Sequence, residues 1–432
     1  MPERMAKCMK YDVAVVNGSL FWPYGCVSKE IGIRDGYITE VADRIDRNEA
    51  AQVIDAADRV IVPGFVDSHM HIEKSWNPDD EEMNDLREAC NYSAQKLEAY
   101  YYNWNRESIV QDVFENAAPI LKQCIVNGTS AIRTNVMVNR IVGTAALEAV
   151  NRLKKTYRSK LDILVTADCP EGMEEEWADS VRKGWIDFIG GYPNLARKGG
   201  GYKYADPKER KKNMDRIFEL AKQYRLPVDV HCDESDEPDF SLFRYICERA
   251  WREQMEGMVT VSHVTALDAK GADEEAAADS AAWCAKGEVH VTTLTSQNLY
   301  LMSGGRRGAT RVRQLREAGV MVEVASDNVR DIFRPFGNCD LMEEALLTAQ
   351  LHKYGTDREL LDIMRMITYF PAASCRLEEY GLLPGCKANL AVLESDSVPE
   401  ALRSQVKKAY VMHMGKIVAA NGRMAEGEDE DV

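Results

Sequence analysis

Between residues 60 and 325 the chain carries eight short apolar runs rich in β-branched residues, separated by segments of helical periodicity. The runs are 60–66, 130–134 with Val136, 162–167, 185–189, 227–230, 258–262, 288–293 and 320–325. Helical spacing is plain in residues 208–224, where Met214, Ile217, Phe218, Ala221 and Tyr224 recur on one face. Eight strands, each followed by a helix, is the arithmetic of an α/β fold of one kind, the (β/α)₈ TIM barrel. Its chemistry gathers at the C-terminal ends of the strands.

The two ends of the chain read differently. Residues 11–17, 28–34 and 37–41 are short strand candidates punctuated by Gly18, Gly25 and Gly36. Residues 388–393, 408–412 and 416–420 repeat the pattern, with a turn at Gly415. The expectation is a small β-sandwich domain assembled from residues 1–62 and 380–432, with the barrel occupying 63–379.

Charge and composition narrow the partners. Lys and Arg total 54 against 70 Asp and Glu, a net charge of −16, which lacks the basic footprint for tracking phosphate backbones. Nucleic acid is excluded as the expected partner. No uncharged apolar run approaches the roughly 20 residues that span a bilayer, so no membrane association is expected. The first residues lead to no apolar leader segment. Eleven cysteines without a C-x-x-C pair read as reduced thiols, which points to the cytoplasm. Residues 426–431 read as a solvated acidic tail. Gly199-Gly200-Gly201 reads as a flexible, lid-like segment, because it lacks the strand–turn–helix setting of a phosphate cradle. Homo-oligomerisation is compatible with the sequence.

The chain has seven histidines, and their positions are informative. His69 and His71 follow the first run; in an extended segment, residues two apart project to one side, so the pair addresses a single point. His231 closes the fifth run, His263 the sixth, and Asp327 the eighth. A barrel gathers these ends around one mouth. His290, His352 and His413 read as structural. His69, His71, His231 and Asp327 form a candidate metal set with room for water, the pattern of a catalytic site. Zn²⁺ suits these ligands best, and Fe²⁺ or Mn²⁺ also fit. Such an ion lowers the pKa of its water toward neutrality. Glu234, three residues past His231, is a candidate proton shuttle, and Asp327 a candidate acceptor of the water's proton. His263 either binds the ion or orients the hydroxide.

The segments Pro63-Gly64-Phe65-Val66-Asp67-Ser68-His69-Met70-His71, His231-Cys232-Asp233-Glu234, Ser262-His263-Val264-Thr265 and Ser326-Asp327-Asn328 resemble the amidohydrolase superfamily. More narrowly they resemble its bacterial cytosine deaminase-like branch, which includes N-substituted triazine and other ring aminohydrolases. The resemblance implies one divalent ion on His69, His71, His231 and Asp327. It also implies catalytic roles for Glu234, His263 and Asp327. Glu234 protonates the ring nitrogen beside the attacked carbon and His263 holds the hydroxide. Water adds to an amidine-type ring carbon of a small N-heterocycle, and ammonia or an amine leaves.

Several positions depart from the cytosine pattern. Arg133-Thr134-Asn135 replaces R-T-H, Pro170 replaces a glutamine before Glu171-Gly172, Asn328 follows Asp327 where a second aspartate is usual, and Glu73 stands at an Asp position. A buried polar contact left unpaired costs about 1–3 kcal/mol, so cytosine itself is not the expected substrate. Trp76, Asn135, Gln297, Asn298, Asn328 and Arg334 are candidate substrate contacts on the loops after the strands. Ile189-Gly190-Gly191-Tyr192 offers no lysine for a binuclear site. Two alternatives stay open: a mononuclear amide, urea or carbamate hydrolase, and a non-catalytic barrel that only binds ligand.

Overall fold

The computed structural model describes residues 9–75, 100–198, 201–301, 308–425 and Gly427, with backbone alone at 196–198 and 201–203. Eight parallel strands form the barrel: Phe65–Met70, Thr129–Val136, Asp162–Ala167, Phe188–Ile189, Val228–Cys232, Val259–His263, His290–Thr293 and Val322–Val324. Strand one is wholly buried, and strands two, five, six, seven and eight are likewise. That burial is why these strands read as continuous apolar runs. Helices cover the outside. Helix Pro207–Tyr224 starts where the Asp206 carboxylate accepts from the Lys208 and Glu209 amides, with proline at its first position. The ring closes where Met70 bridges Asp327, three residues beyond the last strand.

The first apolar run is shared between two sheets. Val60–Pro63 pairs with Leu390–Leu393 in the terminal sheet, and only Phe65–Met70 enters the barrel. The switch is at Gly64, where a Cβ would fall 2.5 Å from Ser130 Cβ. A glycine therefore lets the chain pass from one sheet to the other.

The terminal sheet has nine strands: Tyr11–Trp22, Gly25–Arg34, Tyr37–Ala42, Ala50–Asp55, Val60–Pro63, Leu390–Leu393, Lys408–His413, Lys416–Ala420 and Arg423–Met424. Val15, Ile31 and Ile38 share one core with Leu390, Val392 and Met412, so the sheet folds over itself into a two-layered sandwich. Two expectations change here. The first strand runs through Gly18 to Trp22 across a register shift between Val15 and Gly18. Gly18 packs rather than breaks, since a Cβ there would meet Ile61 Cδ1 at 2.3 Å. Ala50–Asp55 was not expected as a strand because only Ala50 and Ile54 are buried along it.

Among the described residues no helix is long and apolar enough to cross a membrane. Gly199 and Gly200 lie outside the described residues, as does the acidic tail apart from Gly427.

Candidate metal centre

Strand one delivers His69 and, one residue past its end, His71; strand five delivers His231, and the segment after strand eight Asp327. One ligand atom from each lies within 4.8 Å of all the others, and all four residues are buried. His71 Nε2 is 3.2 Å from His231 Nε2 and 3.3 Å from Asp327 Oδ1, and His69 Nε2 is 3.8 Å from the same oxygen. Two donors about 2.1 Å from one ion at a tetrahedral angle are separated by about 3.4 Å, so these spacings suit a shared cation. His69 Nε2 and Asp327 Oδ1 are buried without a hydrogen-bond partner among the described residues.

Protonation fits as well. Burial, reinforced by the other imidazoles, holds His231 well below its usual value. Burial does the same to His69, overcoming the opposing pull of Asp327. The Asp327 carboxyl is buried too, yet the adjacent His71 and the other surrounding imidazoles outweigh that and hold it far below the carboxylate range. Neutral imidazoles and an ionised carboxylate are the forms that ligate a cation. His71 moves the other way: burial and Lys74 press it down, but the carboxylates of Asp327 and Glu73 raise it overall.

His263 does not join the four-donor group. Its Nδ1 is 3.3 Å from Asn298 Oδ1, and its Nε2 is 3.7 Å from both Glu234 Oε2 and Asp327 Oδ2. Glu234 is the partly open member, with its side chain 28% exposed. Backbone strain aims these groups: Asp233, His263, Val264 and Asp327 all have left-handed φ, between 44° and 70°. Tertiary hydrogen bonds maintain it. Thr310 Oγ1 donates to His263 O at 2.6 Å, and Asp233 Oδ2 accepts from the Phe243 amide at 2.8 Å.

Beneath the histidines lies buried polar scaffolding. Arg133 Nε donates to Ser68 O at 2.8 Å and sits 3.1 Å from Asp229 Oδ2. Asn135 Nδ2 is 3.3 Å from His69 Nδ1 and 3.4 Å from Asp229 Oδ2, so this candidate substrate contact also backs a histidine. Tyr192 stacks on His231 with ring centroids 4.2 Å apart. His290 pairs with Glu323 at 3.1 Å inside the barrel, burial presses His352 down to about 4, and His413 is buried in the terminal sheet. None of these three joins the group.

The other loop candidates diverge. Trp76 lies outside the described residues. Gln297 is buried with Oε1 unpartnered among the described residues, and Asn298 serves His263. Asn328 and Arg334 are turned into their own loop. Asn328 Nδ2 donates to Asp331, and Arg334 donates to two backbone carbonyls. Lys74 was missed. It is buried on the turn Ile72–Lys74, its Nζ 2.9 Å from His71 Nδ1 and 3.4 Å from Glu73 Oε1. Its signal was a charged pair, Glu73-Lys74, directly behind the H-x-H.

The model of the amidohydrolase family matches residues 52–168 and 187–419. The chain is 30% identical over 425 residues to N-isopropylammelide isopropyl amidohydrolase of Pseudomonas sp. (strain ADP), covering 89% of this chain and 96% of that one. It is 25% identical over 414 residues to pterin deaminase of Rhizobium rhizogenes, covering 91% and 88%. In fold it is similar to the crystal structure of 5-methylcytosine deaminase from Klebsiella pneumoniae liganded with 5-fluorocytosine. That match has a TM-score of 0.81 and 24% identity, covering 96% of this chain and 98% of that one. The chain belongs to the amidohydrolase family.

Proposed function

We propose that the protein is a metal-dependent aminohydrolase that replaces an exocyclic amine on a small nitrogen heterocycle with oxygen, releasing ammonia or an alkylamine. The observation that carries this reading is the convergence of His69, His71, His231 and Asp327 beside a Glu234–His263 pair that stays outside the group. Its relatives are named for action on N-isopropylammelide and on pterin, and the substrate class is read from them.

His69, His71, His231 and Asp327 would hold the ion. Zn²⁺ fits that donor set best, with Fe²⁺ and Mn²⁺ also compatible. A bound divalent ion supplies a Lewis acid that brings its water into nucleophilic range near neutral pH. His263 Nε2, facing Glu234 and Asp327, positions the attacking oxygen. Asp327 takes the proton that water gives up on adding to the ring carbon. Glu234 protonates the adjacent ring nitrogen, and Asp327 passes its proton to the exocyclic amine. The C–N bond breaks as the amine departs and Glu234 recovers the proton of the added hydroxyl. The nine described cysteines are all free, which supports a reducing cytoplasmic setting.

The test couples metal analysis to an ammonia- and amine-release screen over pyrimidines, triazines, pterins and creatinine-like rings. Expected is turnover by metal-loaded protein on at least one oxo-substituted ring, low turnover of cytosine, and turnover lowered by about 10²–10⁴ in Glu234→Gln. Efficient turnover by Glu234→Gln removes the assigned proton shuttle. Bound metal without hydrolysis across the panel favours a ligand-binding barrel.

A further inference from the structure

The loop after strand eight holds Asp327 in a backbone conformation that aspartate adopts at a cost, with φ of 60°. Something must over-determine it. The residue's own amide donates to His69 O at 2.9 Å, and the preceding amide, Ser326 N, donates to Asp67 Oδ1 at 3.2 Å. Those bonds fix the N–H side of the segment. The C=O side is fixed by a single side chain. Arg334 Nε donates to Asn328 O at 2.7 Å and its Nη2 to Ser326 O at 3.1 Å, so one guanidinium grips the carbonyls on both sides of Asp327.

Arg334 is itself anchored from three directions. Its amide donates to Asp331 Oδ1 at 2.9 Å, and its carbonyl accepts from the Asp331 amide at 3.1 Å. Nη2 also lies 3.5 Å from Glu344 Oε1, whose position is set by Ser296 Oγ at 2.7 Å. Gly337, with φ of 118°, leaves the necessary room: a Cβ there would press on Arg334 Nη2 at 3.1 Å and Val329 Cγ1 at 3.0 Å. The side chain of Arg334 is 6% exposed. A rigid fork with donors at two edges can bridge two carbonyls two residues apart, whereas an ammonium acts as a single point.

We propose that Arg334 is a positioning residue that clamps the Ser326 and Asn328 carbonyls and so aims the Asp327 carboxylate at the metal group. This rests on the reading of Asp327 as a ligand. The clamp acts on affinity for the ion and on the geometry around it, with no contact to substrate.

The experiment titrates the metal-free chain with Co²⁺ alone and follows the visible absorption of the bound ion. Parent, Asp327→Asn, Arg334→Ala, Arg334→Lys and Arg316→Ala are compared, with thermal unfolding run in parallel. Arg316 pairs with Asp362 on the barrel exterior, so its loss reports general destabilisation. Expected is roughly tenfold or greater weakening of Co²⁺ binding in Arg334→Ala, with a spectrum displaced toward that of Asp327→Asn. Arg334→Lys falls between, and Arg316→Ala binds as the parent does. If Asp327→Asn binds Co²⁺ as the parent does, the ligand reading fails. If Asp327→Asn weakens binding but Arg334→Ala does not, the clamp fails. Equal weakening in Arg334→Ala and Arg316→Ala also overturns it. Should Arg334→Ala not fold, Arg334→Lys decides, and parental binding and spectrum in that variant reject the proposal.

Discussion

The backbone amide of Asp327 donates to the carbonyl oxygen of His69 across 2.9 Å. This bond joins the segment after strand eight to the end of strand one, closing the barrel with two members of the candidate metal group. Closure and site assembly are one event, and it uses main-chain atoms. The donor atoms therefore stand ready before an ion arrives.

Metal removal should leave the fold intact. Chelation is expected to abolish turnover while far-ultraviolet circular dichroism stays unchanged. The apo protein should melt lower, because an ion at a thousand times its Kd adds about 4 kcal/mol to the native state. Collapse of secondary structure on chelation would show that the ion, not the His69–Asp327 bond and the apolar core, closes the ring.

Glu234→Gln should separate chemistry from metal binding. Glu234 lies outside the four-donor group and faces His263 at 3.7 Å, so metal content should match the parent. Turnover is expected to fall by about 10²–10⁴. Loss of metal from this variant would instead assign the carboxylate to the ion.

Asn298 accepts from one ring nitrogen of His263 and leaves the other facing Glu234 and Asp327. Asn298→Ala is expected to lower kcat about tenfold or more with metal content retained. Asn298→Asp keeps an acceptor at the same place and should recover much of that loss. Equal kcat in the alanine and aspartate variants would mean that this contact does not orient the ring.

Burial pushes Glu344 from 4.5 up to about 7, against the opposing pull of Arg334. A raised carboxyl pKa means the native chain holds the proton more tightly than the unfolded one. The resulting stability is fully present below about 4.5 and lost as pH rises through about 7. Unfolding midpoints in urea should therefore fall more between pH 5 and pH 8 in the parent than in Glu344→Gln, which cannot ionise. Identical falls would place the proton elsewhere.

Much of the barrel was legible because parallel strands covered on both faces must be apolar along their length. The candidate ligands were legible for the same reason: polar residues stand out when they end such runs. What lay beyond was set by tertiary geometry. Asn135 looked like a pocket residue, but its amide lies between His69 and Asp229. Arg334 read only as a loop residue after strand eight, and the fold of that loop is what carries its guanidinium onto the carbonyls beside Asp327. The run 60–66 appeared as one strand, since a close glycine passage at Gly64 has no periodic signature. Ala50–Asp55 was invisible because its side chains face mostly outward.

The terminal sheet has a consequence for the order of events during synthesis. Pro63 pairs with Leu390, and the Gly64 amide donates to Asn389 O at 3.0 Å, immediately ahead of the strand that bears His69 and His71. A ribosome releases those two histidines more than three hundred residues before their supporting partner strand exists. Until Leu390–Leu393 emerges, Val60–Pro63 has an unpaired edge beside a half-made barrel, a long-range pairing that forms late. The base of strand one thus waits for a partner made after all four candidate ligands, and it is secured only once Leu390–Leu393 has emerged.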